Sequence, residues 1–81
     1  MADFDTEKVD AAVLALLFLN SFQDQGVTRA WKGFDWDSMN RLHDRGLISD
    51  PRSKAKSVIL TDDGERLARE LFEEHFGVGS D

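Results

Sequence analysis

The chain has no cysteine in its 81 residues. That excludes a disulfide framework and any zinc-thiolate site. It also has no long apolar run: the longest, AAVLALLFL over Ala11–Leu19, spans nine residues, where a membrane-crossing helix needs about 20. It reads as a buried helix segment. The opening MADFDTEKVD is acidic, whereas a secretory signal starts basic and continues into an apolar stretch; a cytoplasmic setting is expected. No phosphate-binding glycine loop and no glycine-flanked nucleophile elbow occurs. His43 and His75 lie far apart, without the spacing that puts two metal ligands on one helix face. Ser21, Ser38, Ser49, Ser53 and Ser57 have no histidine that singles one out. We therefore expect no enzyme, with no catalytic residue, no metal and no cofactor.

What is present is one modest core and an uneven charge. A chain of this length forms one domain over residues 1–81, near the lower limit of single-core stability, so self-association is a plausible supplement. The net charge of −6 disfavours indiscriminate nucleic-acid binding, which rests on phosphate attraction. The charge is segregated, however. Residues 1–28 carry one cation against five acids, a local −4, and residues 57–81 carry two against seven, a local −5. Residues 29–56 carry seven cations against four acids, a local +3. Local potential, more than the total, decides what docks.

Periodicity and punctuation predict three main helices and a hairpin. The first helix starts near Asp5 or Thr6, with Asp or Thr capping free N–H groups and Glu7 in the first turn. Val9, Val13, Leu16, Leu17 and Asn20 follow helical spacing. Ala12, Leu14, Phe18, Leu19 and Phe22 extend the apolar surface beyond one stripe, and Gly26 ends the region. The second helix runs from Asp35 or Asp37 to Arg45 and closes on Gly46 as a left-handed glycine. Leu47-Ile48 and Val58-Ile59-Leu60 read as two strands around the Asp50-Pro51 turn, with an extended basic tip whose Arg52, Lys54 and Lys56 point the same way. The last helix begins at Thr61 or Asp62, carries the stripe Leu67, Ala68, Leu71, Phe72 and Phe76, and closes at Gly77. Residues 1–4 and 78–81 are expected to fray.

This order, with RLHDRGLI at Arg41–Ile48 and VILTDDG at Val58–Gly64, resembles winged-helix domains of bacterial regulators. The resemblance implies an α+β fold of winged-helix type with a two-stranded wing. It makes Arg41 and Arg45 of the helix, with Arg52, Lys54 and Lys56 of the wing, candidate DNA contacts. A complete helix-turn-helix has a further helix before the recognition helix. Only residues 23–34 are available for it, so at most one short helical turn is expected there. Across nearly its whole length the chain is also similar to a family of small, functionally uncharacterised bacterial proteins, through RAWKGFDW, RLHDRGLISDP and KAKSVILTDDG. That likeness implies a bacterial source and assigns no site residue.

RAWKGFDW (residues 29–36) concentrates both tryptophans of the chain. Aromatics in a small domain are usually core, so Trp31 and Phe34 are expected largely buried and Trp36 partly, plugging the link between the first two helices, with Lys32 in solvent. Broad exposure of both indoles would instead make the stretch a binding platform, using stacking and cation–π contacts. Phe18, Phe22, Phe72 and Phe76 join Trp31, Phe34 and Trp36 as core or dimer aromatics. The expected function is a non-enzymatic interaction module, homodimeric, with protein rather than membrane as partner. The alternative is a DNA-binding regulator.

Overall fold

Three short polar side chains start the three helices of the computed structural model, which describes residues 4–77. The Asp5 carboxylate accepts hydrogen bonds from the N–H groups of Glu7 and Lys8 and opens α1, Thr6–Leu19. Asp35 accepts from the Ser38 N–H and opens α2, Trp36–Asp44. The Thr61 hydroxyl accepts from the Gly64 N–H and opens α3, Asp62–Phe76. Each cap satisfies donors that a helix start leaves without a partner. α2 ends as expected on a left-handed Gly46, φ 76°: the Gly46 N–H returns to the His43 carbonyl and the Leu47 N–H to that of Leu42. Fraying is expected of residues 1–4 and 78–81, and all of these but Phe4 lie outside the described residues.

The first helix stops at Leu19 and does not continue through Phe22 to Gly26. Instead β1, Ser21–Asp24, and β2, Val27–Trp31, form an antiparallel hairpin with Asp24 opposite Val27. Gln25 and Gly26 lie between them with φ of 53° and 86°. Positive φ at both central residues marks the tight turn whose twist matches that of the flanking strands. The segment before α2 is therefore a hairpin, where a short helical turn was expected. The pleat explains why: in Val27-Thr28-Arg29-Ala30-Trp31 the second and fourth residues are buried and the ends exposed, a period of two.

β3, Ser57–Leu60, pairs antiparallel with β2, so β2 is the central strand of three. The two-stranded wing must be corrected. Leu47-Ile48 meets the end of β3 only through one bridge, Ile48 to Leu60, flanked by the Ser49 N–H to Ile59 O and the Thr61 N–H to Leu47 O. Residues 51–56 form turns and bends, so Arg52, Lys54 and Lys56 do not alternate along a strand. The fold is α+β, with three helices and a three-stranded antiparallel sheet.

The inward face of the sheet carries Thr28, Ala30, Val58 and Leu60, all buried. Against it lie Val13, Leu14 and Leu17 of α1, Met39 and Leu42 of α2, and Ala68 of α3, with Leu47 and Ile48 closing the edge. α3 is held by a close backbone approach. The Thr61 hydroxyl donates toward the carbonyls of Gly46 at 2.8 Å and Leu47 at 3.2 Å. A Cβ on Gly64 would lie 1.8 Å from the Leu47 carbonyl oxygen. Only glycine allows the first turn of α3 to sit there. We expect Gly64→Ala to destabilise the fold by about 3 kcal/mol or more, since backbone must shift to admit the methyl; urea unfolding monitored by circular dichroism measures it, and a loss under about 0.5 kcal/mol, the range of ordinary surface changes, would contradict it.

Candidate functional site

In an antiparallel sheet, directly opposed residues project to the same side. Phe22, Arg29 and Ile59 face one another across the three strands, as do Asp24 with Val27 and Trp31 with Ser57. These residues make up the face opposite the core. No helix covers it among the described residues: Trp31 is 57% exposed and Val27 is exposed as well. The Phe22 and Trp31 rings pack together, centroids 5.1 Å apart and tilted by 35°. Arg29 Nε donates to Ser57 Oγ at 2.8 Å, which holds the guanidinium on the same face. A rigid strand thus presents an aromatic pair beside a fixed cation.

The plug reading of RAWKGFDW is overturned for both tryptophans. Trp36, the first residue of α2, is also 57% exposed. The reason lies in local geometry. The pleat of β2 sends Ala30 inward and Trp31 outward, while α2 buries Ser38, Met39 and Leu42 and leaves its first residue in solvent. Phe34 alone acts as an anchor, half-buried against the core. Lys32 does not simply point to solvent: its ammonium donates to the carbonyls of Pro51 and Ser53, at 2.6 Å each, and ties down the loop before β3. Lys32, Gly33, Phe34, Trp36 and Met39 line a cleft of about 210 Å³.

The other aromatics gather elsewhere. Phe18 meets Phe72 at 5.4 Å and Phe72 meets Phe76 at 5.5 Å, joining α1 to α3, with the Arg69 guanidinium 5.8 Å over the Phe18 ring. Phe76 remains 51% exposed.

Of the five cations considered for DNA, two are bound internally. Arg41 grips Asp10 with two bonds, Nε to Oδ2 at 2.6 Å and Nη2 to Oδ1 at 2.8 Å. Arg52 folds onto Asp50, Nε to Oδ1 at 3.0 Å. Arg45, Lys54 and Lys56 are exposed and, among the described residues, form no salt bridge. His43 places Nδ1 3.1 Å from the Ile48 carbonyl oxygen, a structural contact.

Asp10 is the functional-looking residue that sequence reading missed. It is 3% exposed, and its partner lies 31 positions away; its one local signal is a charge inside an otherwise apolar stretch. Burial works to raise its pKa, but hydrogen bonds from Arg41 and Ser38 and the charges of Arg41 and Arg45 outweigh burial and hold it below the ordinary carboxylate value. Asp50 is likewise lowered, chiefly by the Arg52 side chain.

Residues 5–78 match the family described as "Domain of unknown function (DUF6429)". The "Uncharacterized protein y4hR" of Sinorhizobium fredii is 51% identical over 74 residues, which make up 91% of this chain and 96% of that relative. No solved structure gives a significant match. No helix among the described residues is long and apolar enough to cross a membrane.

Two outcomes follow from this geometry. Because the folded pKa of Asp10 is lowered, its contribution to stability is complete above the unfolded carboxylate value of about 4 and is lost as pH falls through the folded value. Arg41→Met should destabilise the fold at neutral pH, by less than the loss of a fully buried pair because the Arg41 side chain is 37% exposed. Urea titrations should show that difference shrinking toward acid pH; a pH-independent difference would contradict the account. Both indoles should also be quenched by iodide and acrylamide in the folded protein nearly as strongly as in urea, and a protected, blue-shifted emission would show them buried.

Proposed function

We propose that this chain, which belongs to the DUF6429 family, is a non-enzymatic interaction module of the bacterial cytoplasm that acts as a homodimer through the open face of its sheet. One observation carries the reading: Trp31 stands out from the central strand, stacked on Phe22 and beside Arg29. Tryptophan and arginine are enriched among the energetic centres of protein interfaces, and phenylalanine among their contact residues. Here they occupy strands rather than a loop, so little conformational entropy opposes their use. A domain this small, with an exposed aromatic face, gains stability by covering that face with a second copy.

A DNA-binding, winged-helix reading has one observation in its favour, Arg45, Lys54 and Lys56, which are exposed and form no salt bridge among the described residues. Against it stand the engagement of Arg41 and Arg52 within the fold and the hairpin where the additional helix would lie. It requires DNA retention at low salt that falls steeply as salt rises and weakens in Lys54→Ala with Lys56→Ala; an absence of any mobility shift at low salt removes it.

The dimer reading expects light scattering to give twice the chain mass for the wild type. Trp31→Asp should give a monomer with an unchanged far-ultraviolet circular dichroism spectrum. A wild type that stays strictly monomeric at high concentration, or a Trp31→Asp variant that still dimerises, overturns it.

A further inference from the structure

Away from the sheet, the three helices leave a groove of about 640 Å³ lined by no strand residue. Its accessible apolar lining comes from Ala11 of α1 and from Leu67 and Leu71 of α3, with Leu14 and Leu42 fully buried beneath. Leu67 and Leu71 are only half-buried, so the α3 stripe is not fully used by the core. The Asp10–Arg41 pair lies in the lining, its charges compensating each other. Of the remaining charges there, Glu7 and Asp44 are acidic and Arg45 basic. Three residues beyond Leu67 and Leu71 come Glu70 and Glu74, which are therefore their neighbours on the helix surface. Both are exposed and, among the described residues, unpaired. Lys8, exposed and three residues before Ala11, adds one cation by the same spacing. Glu7, Asp44, Glu70 and Glu74 against Lys8 and Arg45 still leave an excess of acid around the apolar floor.

We propose that this groove is a docking site for a basic amphipathic helix of a partner protein. An occupant needs an apolar ridge at i, i+3, i+4 and i+7 to replace water over Ala11, Leu67 and Leu71, and flanking Lys or Arg to meet Glu7, Glu70 and Glu74. A helical ridge suits a trough between helices because side-chain ridges seat in the grooves of neighbouring helices. The acidic rim selects the sign of the partner and makes its association salt-dependent. The groove and the sheet face share no lining residue, so the two surfaces can be occupied at once.

The test uses the whole chain labelled with ¹⁵N and a synthetic amphipathic Leu/Lys helical peptide, with a Leu/Glu peptide of the same apolar pattern as control. The Lys peptide should shift the amides of Ala11, Leu67 and Leu71, with an affinity that falls as salt rises. Glu70→Lys combined with Glu74→Lys, both outside the core, should weaken it about tenfold, the effect of reversing two exposed charges beside a docked cation; a thermal melt confirms that this variant folds. Trp31→Asp should leave the binding in place, which separates this result from the dimer reading. Equal binding of the Leu/Glu peptide, shifts confined to the sheet face, an unchanged affinity in the double variant, or groove shifts that grow with protein concentration without peptide (a second copy as occupant) would each overturn the proposal.

Discussion

The contact on which the architecture depends is the one between the first turn of α3 and the backbone of Leu47. Thr61 reaches the Gly46 and Leu47 carbonyls while capping its own helix, and Gly64 leaves no side chain between the helix and the Leu47 carbonyl. One short segment thereby ties together the end of α2, the end of β3 and the start of α3. It obliges α3 to leave the sheet on the side already occupied by α1 and α2. The packing follows: α1 meets both other helices, and Val58, Leu60 and Ala30 close the floor beneath them.

Placing every helix on one side has a consequence. A three-stranded sheet has two faces, and among the described residues the helices cover only one. The inward face is built from small or aliphatic residues, Thr28 and Ala30 on the central strand, which let α1 approach closely. The bulky residue of that strand, Trp31, is left outside with Phe22. On the central strand, a large apolar group outside and small ones inside reverse the usual distribution for a half-covered sheet. That reversal makes sense when the outer face is itself a contact surface. The basic candidates point the other way: two of the five have their charge satisfied within the fold, and the loop carrying three of them is fastened by Lys32 rather than extended as a strand.

The helix starts, and the stops of α2 and α3, are legible because their signals are local. Asp5, Asp35 and Thr61 cap, and Gly46 terminates, by chemistry that involves only neighbours a few residues away. The β1–β2 hairpin was not legible for a related reason. Its turn, Gln25-Gly26, is a weaker signal than Asn-Gly, and Phe22 continues the apolar spacing of α1, so the helix pattern masks the change of period. The exposure of Trp31 and Trp36 was misread because aromatic residues in a small domain are ordinarily core; only the pleat and the position at the head of α2 decide otherwise. The Asp10–Arg41 pair was out of reach, since no local pattern links residues 31 positions apart.

The central claim is that the outer face of the sheet is a surface for contact between copies. It is tested most directly by isotope-filtered nuclear Overhauser spectroscopy on a mixture of labelled and unlabelled protein. The account predicts cross-peaks between copies from the Trp31 indole to Phe22, Val27 or Ile59. Cross-peaks between copies restricted to Phe72 and Phe76, or an absence of any, would contradict it.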